Sequence, residues 1–169
     1  MLGLLAIPFV LASCGAQPLL EESQPKAEQK RAPLPNPSSN AASLRAQYAD
    51  VTRLECTSQH GTQIEYLSPN GNTYLWYPGN RRVVVGEWKT QNATGGGAEL
   101  CYRYGANSYN PATGSRGEEF HCINAQLSNF LENERMHGDA FQLATGEIPF
   151  VLKPKRKYSL GQVGRKAGI

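Results

Sequence analysis

The chain is short of the residues that most often carry chemistry. Of its 169 residues three are His, two are Met, two are Trp and four are Cys. Asp50 and Asp139 are its aspartates, too few for a carboxylate-rich calcium loop. His60, His121 and His137 show no ligand spacing, and there is no Cys-x-x-Cys, so no metal is expected. No Gly-x-Ser-x-Gly elbow occurs, and Gly95-Gly96-Gly97 lacks the lysine and following helix of a phosphate loop. No cofactor is expected, and the sequence reads as a binding protein rather than an enzyme. Past residue 20 nothing approaches the ~18 consecutive apolar residues of a membrane-spanning helix. Hydrophobic residues make up 40% of the chain, and two Trp, eight Tyr and five Phe are enough to support a core.

Residues 1–13 are uncharged and apolar, of the length of a signal-peptide core, with Pro8 in the middle. They end in Leu11-Ala12-Ser13-Cys14, which resembles the lipobox of bacterial lipoproteins. The resemblance implies that Cys14 is acylated and becomes the mature N-terminus. Each buried CH₂ of such an anchor contributes about 0.8 kcal/mol, so the chain would be held at a membrane without spanning it. The resemblance also implies a bacterial envelope location. Gly15, where a retained lipoprotein of enterobacteria has Asp, points to the outer membrane, facing the periplasm. The sequence departs from the pattern in one respect: no Lys or Arg precedes Lys26.

Residues 14–45 form the next unit. Pro18, Pro25, Pro33, Pro35 and Pro37 stand among Gln, Glu, Lys, Ser and Asn, without aromatics or apolar periodicity until the segment's end. This composition predicts an extended tether. The β domain is expected over 46–152. A short helix is predicted around Ser43–Val51, with Leu44, Tyr48 and Val51 on one face. Strands are predicted at Leu54–Thr57, Gln63–Leu67, Thr73–Tyr77, Arg82–Lys89, Leu100–Tyr104 and Glu119–Ile123, separated by turn chemistry such as Ser68-Pro69-Asn70-Gly71. A second helix is expected over Ala125–Arg135, capped by Asn124, its apolar face Leu127, Phe130 and Leu131 packing on the sheet. Phe141–Leu143 and Pro149–Leu152 read as closing strands. The fold class is mainly β: a small antiparallel meander forming a barrel or curved sheet, with one short helix beside the sheet.

With Cys14 assigned to lipid, Cys56, Cys101 and Cys122 remain. An oxidising compartment favours pairing. Cys101–Cys122 is the preferred disulfide, since both lie in strands read as hairpin partners, and opposing them sets Leu100 against Ile123. Cys56–Cys122 is the alternative. His121 and Cys122 are adjacent in a strand and point to opposite faces, which argues against a Cys–His dyad. Among carboxylates, Glu65 lies between Ile64 and Tyr66 and is expected to face solvent. Glu87, sharing a face with Val83 and Val85, is the candidate for a barrel interior, with a solvated strand face as its plainer reading.

Tyr74, Trp76, Tyr77, Trp88 and Tyr109 form a candidate binding surface, because Tyr and Trp give large contact areas at little entropic cost. A core role is the competing reading. The last 22 residues hold six basic residues and no acid. Their cluster, Lys153, Lys155, Arg156 and Lys157, begins a basic C-terminal tail expected over 153–169. It would attract anionic lipid or cell-wall groups rather than nucleic acid, given the expected location.

The stretch Leu54 to Tyr66 (Leu-Glu-Cys-Thr-Ser-Gln-His-Gly-Thr-Gln-Ile-Glu-Tyr) resembles the opening of membrane-bound C-type lysozyme inhibitors, small periplasmic β-barrel lipoproteins. The inhibitory Ser-Gly-x-x-Tyr loop of that family is not found here. Gly86-Glu-Trp-Lys with Leu100-Cys-Tyr resembles a pattern of barrel-type protease inhibitors and uncharacterised proteobacterial envelope proteins. The expected function is therefore a lipid-anchored envelope binding or interaction protein without catalytic activity. Its partner would be an envelope protein, the cell wall or anionic lipid. The alternatives are a periplasmic lysozyme or protease inhibitor, using the 105–117 loop, and a carrier of a small hydrophobic ligand.

Overall fold

A computed structural model of the chain describes residues 40–110, 114 and 116–169. Cys14, the 1–13 segment and most of the expected tether lie outside the described residues. Among the described residues no helix is long and apolar enough to cross a membrane.

The order begins with helix α1, Ala41–Tyr48. Asn40 caps it by accepting the Ser43 N–H at 2.9 Å. The helix starts inside the expected tether, and Asp50, at φ 61, turns the chain out of it into the sheet. Six strands then run as an antiparallel meander: β1 Val51–Thr57, β2 Gly61–Leu67, β3 Asn72–Trp76, β4 Val84–Asn92, β5 Ala98–Tyr104 and β6 His121–Asn124. Helix α2, Ala125–Leu131, leads without a loop into β7, Glu132–His137, which pairs with β1 on the far edge. The seven-stranded sheet thus has the order β6-β5-β4-β3-β2-β1-β7. The mainly β meander legible in the sequence is this sheet.

The sheet curls into a half-barrel, and two hydrogen bonds measure the curl. Arg53 on β1 donates to the Tyr102 hydroxyl on β5 at 2.7 Å, although four strand spacings would hold these strands ~19 Å apart in a flat sheet. Tyr104 on β5 donates to Glu65 on β2 at 2.5 Å across three spacings. Helix α2, only seven residues long, touches both edges of the sheet, bridging the gap between β6 and β7.

Side-chain alternation gives the two faces separate covers. The outer face of β1–β3 carries Leu54, Ile64, Tyr66 and Trp76, packed with Phe141, Leu143, Leu152, Leu160 and Val163. The inner face at one end carries Leu67, Trp88, Ala98 and Leu100, covered by Leu44 and Tyr48 of α1 and by Ala125 of α2. Helix α1 is pinned there: Arg45 stacks 4.5 Å over Trp88 and donates to the Pro69 carbonyl. The other end of the inner face is open.

Four sequence expectations change. The helix expected over Ala125–Arg135 stops at Leu131, because Glu132–His137 pairs with β1 as strand β7. Phe141–Leu143 and Pro149–Leu152 are not strands; a 3₁₀ turn at Leu143–Thr145 and irregular chain cover the outer face, leaving no room for an eighth ladder. Residues 153–169 are not a tail beyond the domain. Helix α3, Leu160–Ala167, has a Ser159–Gln162 capping box and buries Leu160 and Val163 in the core. Finally, α2 is inverted: Ser128 and Ala125 face inward, while Leu127 and Phe130 are exposed, Phe130 at 82%. The inner side of α2 must meet Arg53 with a hydrogen-bonding group, and Ser128 supplies it.

Candidate functional site

The connections β1–β2, β3–β4 and β5–β6 all lie at the open end, because the meander returns there after every second strand. Between them and α1 the half-barrel encloses a cleft of about 1740 Å³. Its floor is a polar network of buried side chains. Arg53, 1% exposed, pairs with Glu55 and donates to Tyr102 at 2.7 Å and to the Ser128 hydroxyl at 3.1 Å. Its Nε lies 3.5 Å from Glu132 Oε2, an ion pair without a directed hydrogen bond. Glu132 also receives Arg135, which donates to the Gln47 carbonyl at 3.0 Å. The guanidinium groups of Arg53 and Arg135 lie 5.2 and 4.9 Å from the Tyr48 ring. Two arginines and two glutamates therefore neutralise one another at the base of the cup. Burial alone would lower the Arg53 pKa, but Glu55, Tyr102, Glu132 and Tyr48 outweigh it and hold the guanidinium charged.

Glu65 sits beside this network, with Thr73 and Tyr104 both donating to its Oε1, at 2.6 and 2.5 Å. Burial raises its pKa, against the opposing pull of Arg53 and the two hydroxyl donors. Tyr102 and Tyr104 are pushed well above the usual phenol range, first by burial. Tyr104 comes this close to the sheet because residue 86 is glycine; a Cβ there would meet Tyr104 Cδ1 at 2.6 Å. Leu75, Val84, Ile123 and Leu131 line the wall and are only half-buried. At the mouth, His60 Nδ1 is 2.7 Å from the Tyr77 hydroxyl, and Arg81, Arg82 and Arg116 also line the cleft.

The structure overturns the solvent-facing expectation for Glu65 and bears out the plainer, solvated-face reading of Glu87. Glu65 is the interior group, and Glu87 is an outer-face residue paired with Arg103 at 2.7 Å. The reason is register: Glu65 opposes Arg53 and Leu75 on the inner face, whereas Glu87 opposes Asn72 and Arg103 on the outer one.

The candidate aromatic surface divides among several places. Trp76 is fully buried on the outer face, its indole donating to the Phe150 carbonyl at 3.0 Å. Trp88 is buried on the inner face under α1. Tyr74 stacks on Tyr66, half-covered by the C-terminal segment. Trp76 and Trp88 are core residues because each stands on a face that is covered at its position, Trp76 by the C-terminal segment and Trp88 by α1. Tyr77 and Tyr109 do line the cleft, Tyr109 at 57% exposure and bridged to Arg116.

Cys101 and Cys122 face each other across β5 and β6 and form a disulfide, with Leu100 opposite Ile123. Cys56 is free, so Cys56–Cys122 is not formed. Cys122 turns to the outer face and His121 to the cleft. Among the described residues, Glu99, Cys101 and Cys122 group as possible metal ligands, but both sulfurs are spent on the disulfide. Lys153, Lys155, Arg156 and Lys157 are exposed on a turn stapled to the mouth: the Lys155 N–H donates to the His60 carbonyl at 3.2 Å, and the Thr62 N–H to the Arg156 carbonyl at 2.9 Å.

Sequence reasoning missed Arg53, Glu132 and Arg135. The last two stand in a charged stretch with no strand period. The Ser159–Gln162 capping spacing, followed by Val163 and Gly168, was the available signal for α3. No protein-family model matches the chain, no curated protein matches it, and no solved structure matches it.

Proposed function

We propose that this is a ligand-binding protein of the bacterial envelope, held at the membrane by lipid on Cys14, whose half-barrel cup receives its ligand through the open end. The observation that carries this reading is the cleft itself. Its volume exceeds the ~300–1,000 Å³ of ordinary small-molecule sites. Its floor is rigidly paired, and its wall leaves Leu75, Val84, Ile123 and Leu131 incompletely covered. Among the three functions expected from sequence, a carrier fits this geometry better than an interaction surface, because the tryptophans that would make such a surface are in the core.

The reading is non-catalytic. The cleft's buried Arg and Glu side chains are engaged with one another and with hydroxyl groups, which suits a structural floor. Native mass spectrometry of the exported full chain, beside a denatured spectrum, tests it. An added mass that leaves on denaturation is the expected result. A chain that carries nothing and takes up no amphiphile offered to it would remove the carrier reading. Cys14→Ala should release the protein from membranes, and continued membrane association would count against the anchor.

A further inference from the structure

We infer that the cup's ligand is an anionic amphiphile: an aliphatic chain lying against the inner wall, with a carboxylate or phosphate head held at the mouth. This inference rests on the ligand-binding reading and names the chemistry of its ligand.

Charge is the first observation. Arg81 and Arg82 come from the β3–β4 connection, and Arg116 from the β5–β6 connection; all three line the cleft and are exposed. Lys155 and Arg156 come from a third segment, about 70 residues further on than Arg81 and Arg82. Their turn is fixed beside the β1–β2 connection by backbone hydrogen bonds to His60 and Thr62. Gly61, at φ +82, makes that approach possible, since a Cβ there would meet Lys155 N at 2.7 Å. The same segment reaches the β3–β4 connection, where the Gly79 N–H donates to the Leu152 carbonyl at 2.9 Å. Cations from three separate parts of the chain thus converge on one end of the half-barrel.

Among the described residues, none of these five cations is in an ion pair. Arg116 and Arg156 instead lie 5.5 Å from the rings of Tyr109 and Tyr158. Glu118 and Glu119 follow Arg116, and Glu147 lies beside Gly146, whose carbonyl accepts from Val83; none of the three lines the cleft. The acids that do line it, Glu55 and Glu65, belong to the floor: Glu55 is paired with Arg53, and Glu65 accepts from Thr73 and Tyr104. Of the five cations, Arg81, Arg82 and Arg116 line the cleft; Lys155 and Arg156 stand beside it, and the three lining arginines would draw a bound anion to the mouth.

The wall is the second observation. Alternation places Leu75, Val84 and Ile123 on the inner face with Tyr102 and Tyr104, and Leu131 closes the gap at α2. At the other end of this face α1 covers the equivalent apolar positions. Here nothing among the described residues does. A head group alone would leave this wall wet, whereas an alkyl chain buries it and gains free energy with each methylene. A small hydrophilic anion does not use the wall, and a neutral lipid does not use the mouth.

The test uses the full chain carrying Cys14→Ser, which cannot be acylated at that position and needs no detergent. Binding of dodecanoate, dodecyl phosphate, dodecanol, dodecyltrimethylammonium and inorganic phosphate is measured by calorimetry and native mass spectrometry. Dodecanoate and dodecyl phosphate are expected to bind about tenfold or more tightly than dodecanol or the cation, as a charge-assisted head contact implies. Whichever of the two anions binds more tightly identifies the head as carboxylate or phosphate.

Two variants separate mouth from wall, each first shown to unfold at the wild-type temperature. Arg81→Glu with Arg82→Glu, both exposed, should weaken the anions about tenfold and leave dodecanol unchanged. Val84→Trp, which fills the cup, should weaken every aliphatic probe. Dodecanol binding as tightly as dodecanoate, with both sensitive to Val84→Trp, would overturn the anionic head while the cup reading stood. Inorganic phosphate binding as tightly as dodecyl phosphate would overturn the aliphatic part. If no probe binds in a way that Val84→Trp reduces, both this inference and the ligand-binding reading fall.

Discussion

At the scale of single residues, the floor of the cup depends on Arg53 holding two carboxylates that would otherwise repel. Replacing it with Met leaves Glu132 buried with Arg135 as its remaining partner, and deprives Glu55 of its partner. Removing one member of a buried charge network costs about 3–5 kcal/mol. The urea midpoint of Arg53→Met should therefore fall steeply. A change under 1 kcal/mol would show that the network contributes little to the fold. Lys in its place should not rescue fully, because Glu55, Tyr102 and Ser128 are met by a planar, forked group.

Glu65 gives a pH signature of opposite sense to most acidic groups. Its pKa is raised in the folded protein, first by burial, so the folded state holds its proton more tightly than the unfolded one. Stability from this group is fully present below the ordinary carboxylate pKa and is lost as pH rises through the raised folded value. Glu65→Gln keeps an acceptor oxygen for Thr73 and Tyr104 and carries no charge. Denaturation midpoints from about pH 4 to 7 should lose this slope in the variant. Parallel curves for the two proteins would place the pH response elsewhere.

At the scale of elements, the disulfide joins β5 to the short edge strand β6. Its two cysteines are 21 residues apart and bracket the β5–β6 connection. Closing a loop of this length is worth about 3 kcal/mol in the unfolded state. Cys101→Ser with Cys122→Ser should lower stability by about that amount. A β6 of only four residues has little ladder of its own to compensate. Equal unfolding temperatures with and without reductant would contradict this. The elements most legible in sequence were those with clean local chemistry: the Ser68–Gly71 turn, the Asn124 cap and the opposed cysteines. Each is set by atoms within a few residues or by a single pairing. Strand β7 was not legible, because Glu132 and Arg135 are there for a partner on β1 and one another, and Glu-Asn-Glu-Arg-Met-His shows no apolar alternation.

At the scale of the whole molecule, the C-terminal 22 residues are structural. They cover the outer face of β1–β3 and bring the basic turn to the mouth. Deleting residues 159–169 removes Leu160 and Val163 from the core, and the loss of two buried aliphatic side chains costs about 3–5 kcal/mol. Thermal unfolding of that truncation should be well below that of the full chain. An unchanged transition would mean that α3 is an ornament on an already complete core.

The sequence alone determined the class of structure and its local grammar. Strand and turn chemistry named a mainly β meander, and an apolar segment ending in a lipobox-like cysteine set the expectation of an anchored envelope protein. Its preferred cysteine pairing, Cys101–Cys122, also set Leu100 against Ile123, because a disulfide between neighbouring strands leaves one register. What it left open was decided by the curl of the sheet. Period-two alternation says that Glu65 and Ile64 point to opposite faces, but not which face is the interior. That depends on covers supplied from before and after the sheet in the sequence, α1 on one face and residues 140–167 on the other. Once both are in place, the tryptophans become core and Glu65 turns inward. Cations far apart in sequence then meet around one opening, because curvature and long-range packing are properties of the assembled sheet and of no single segment.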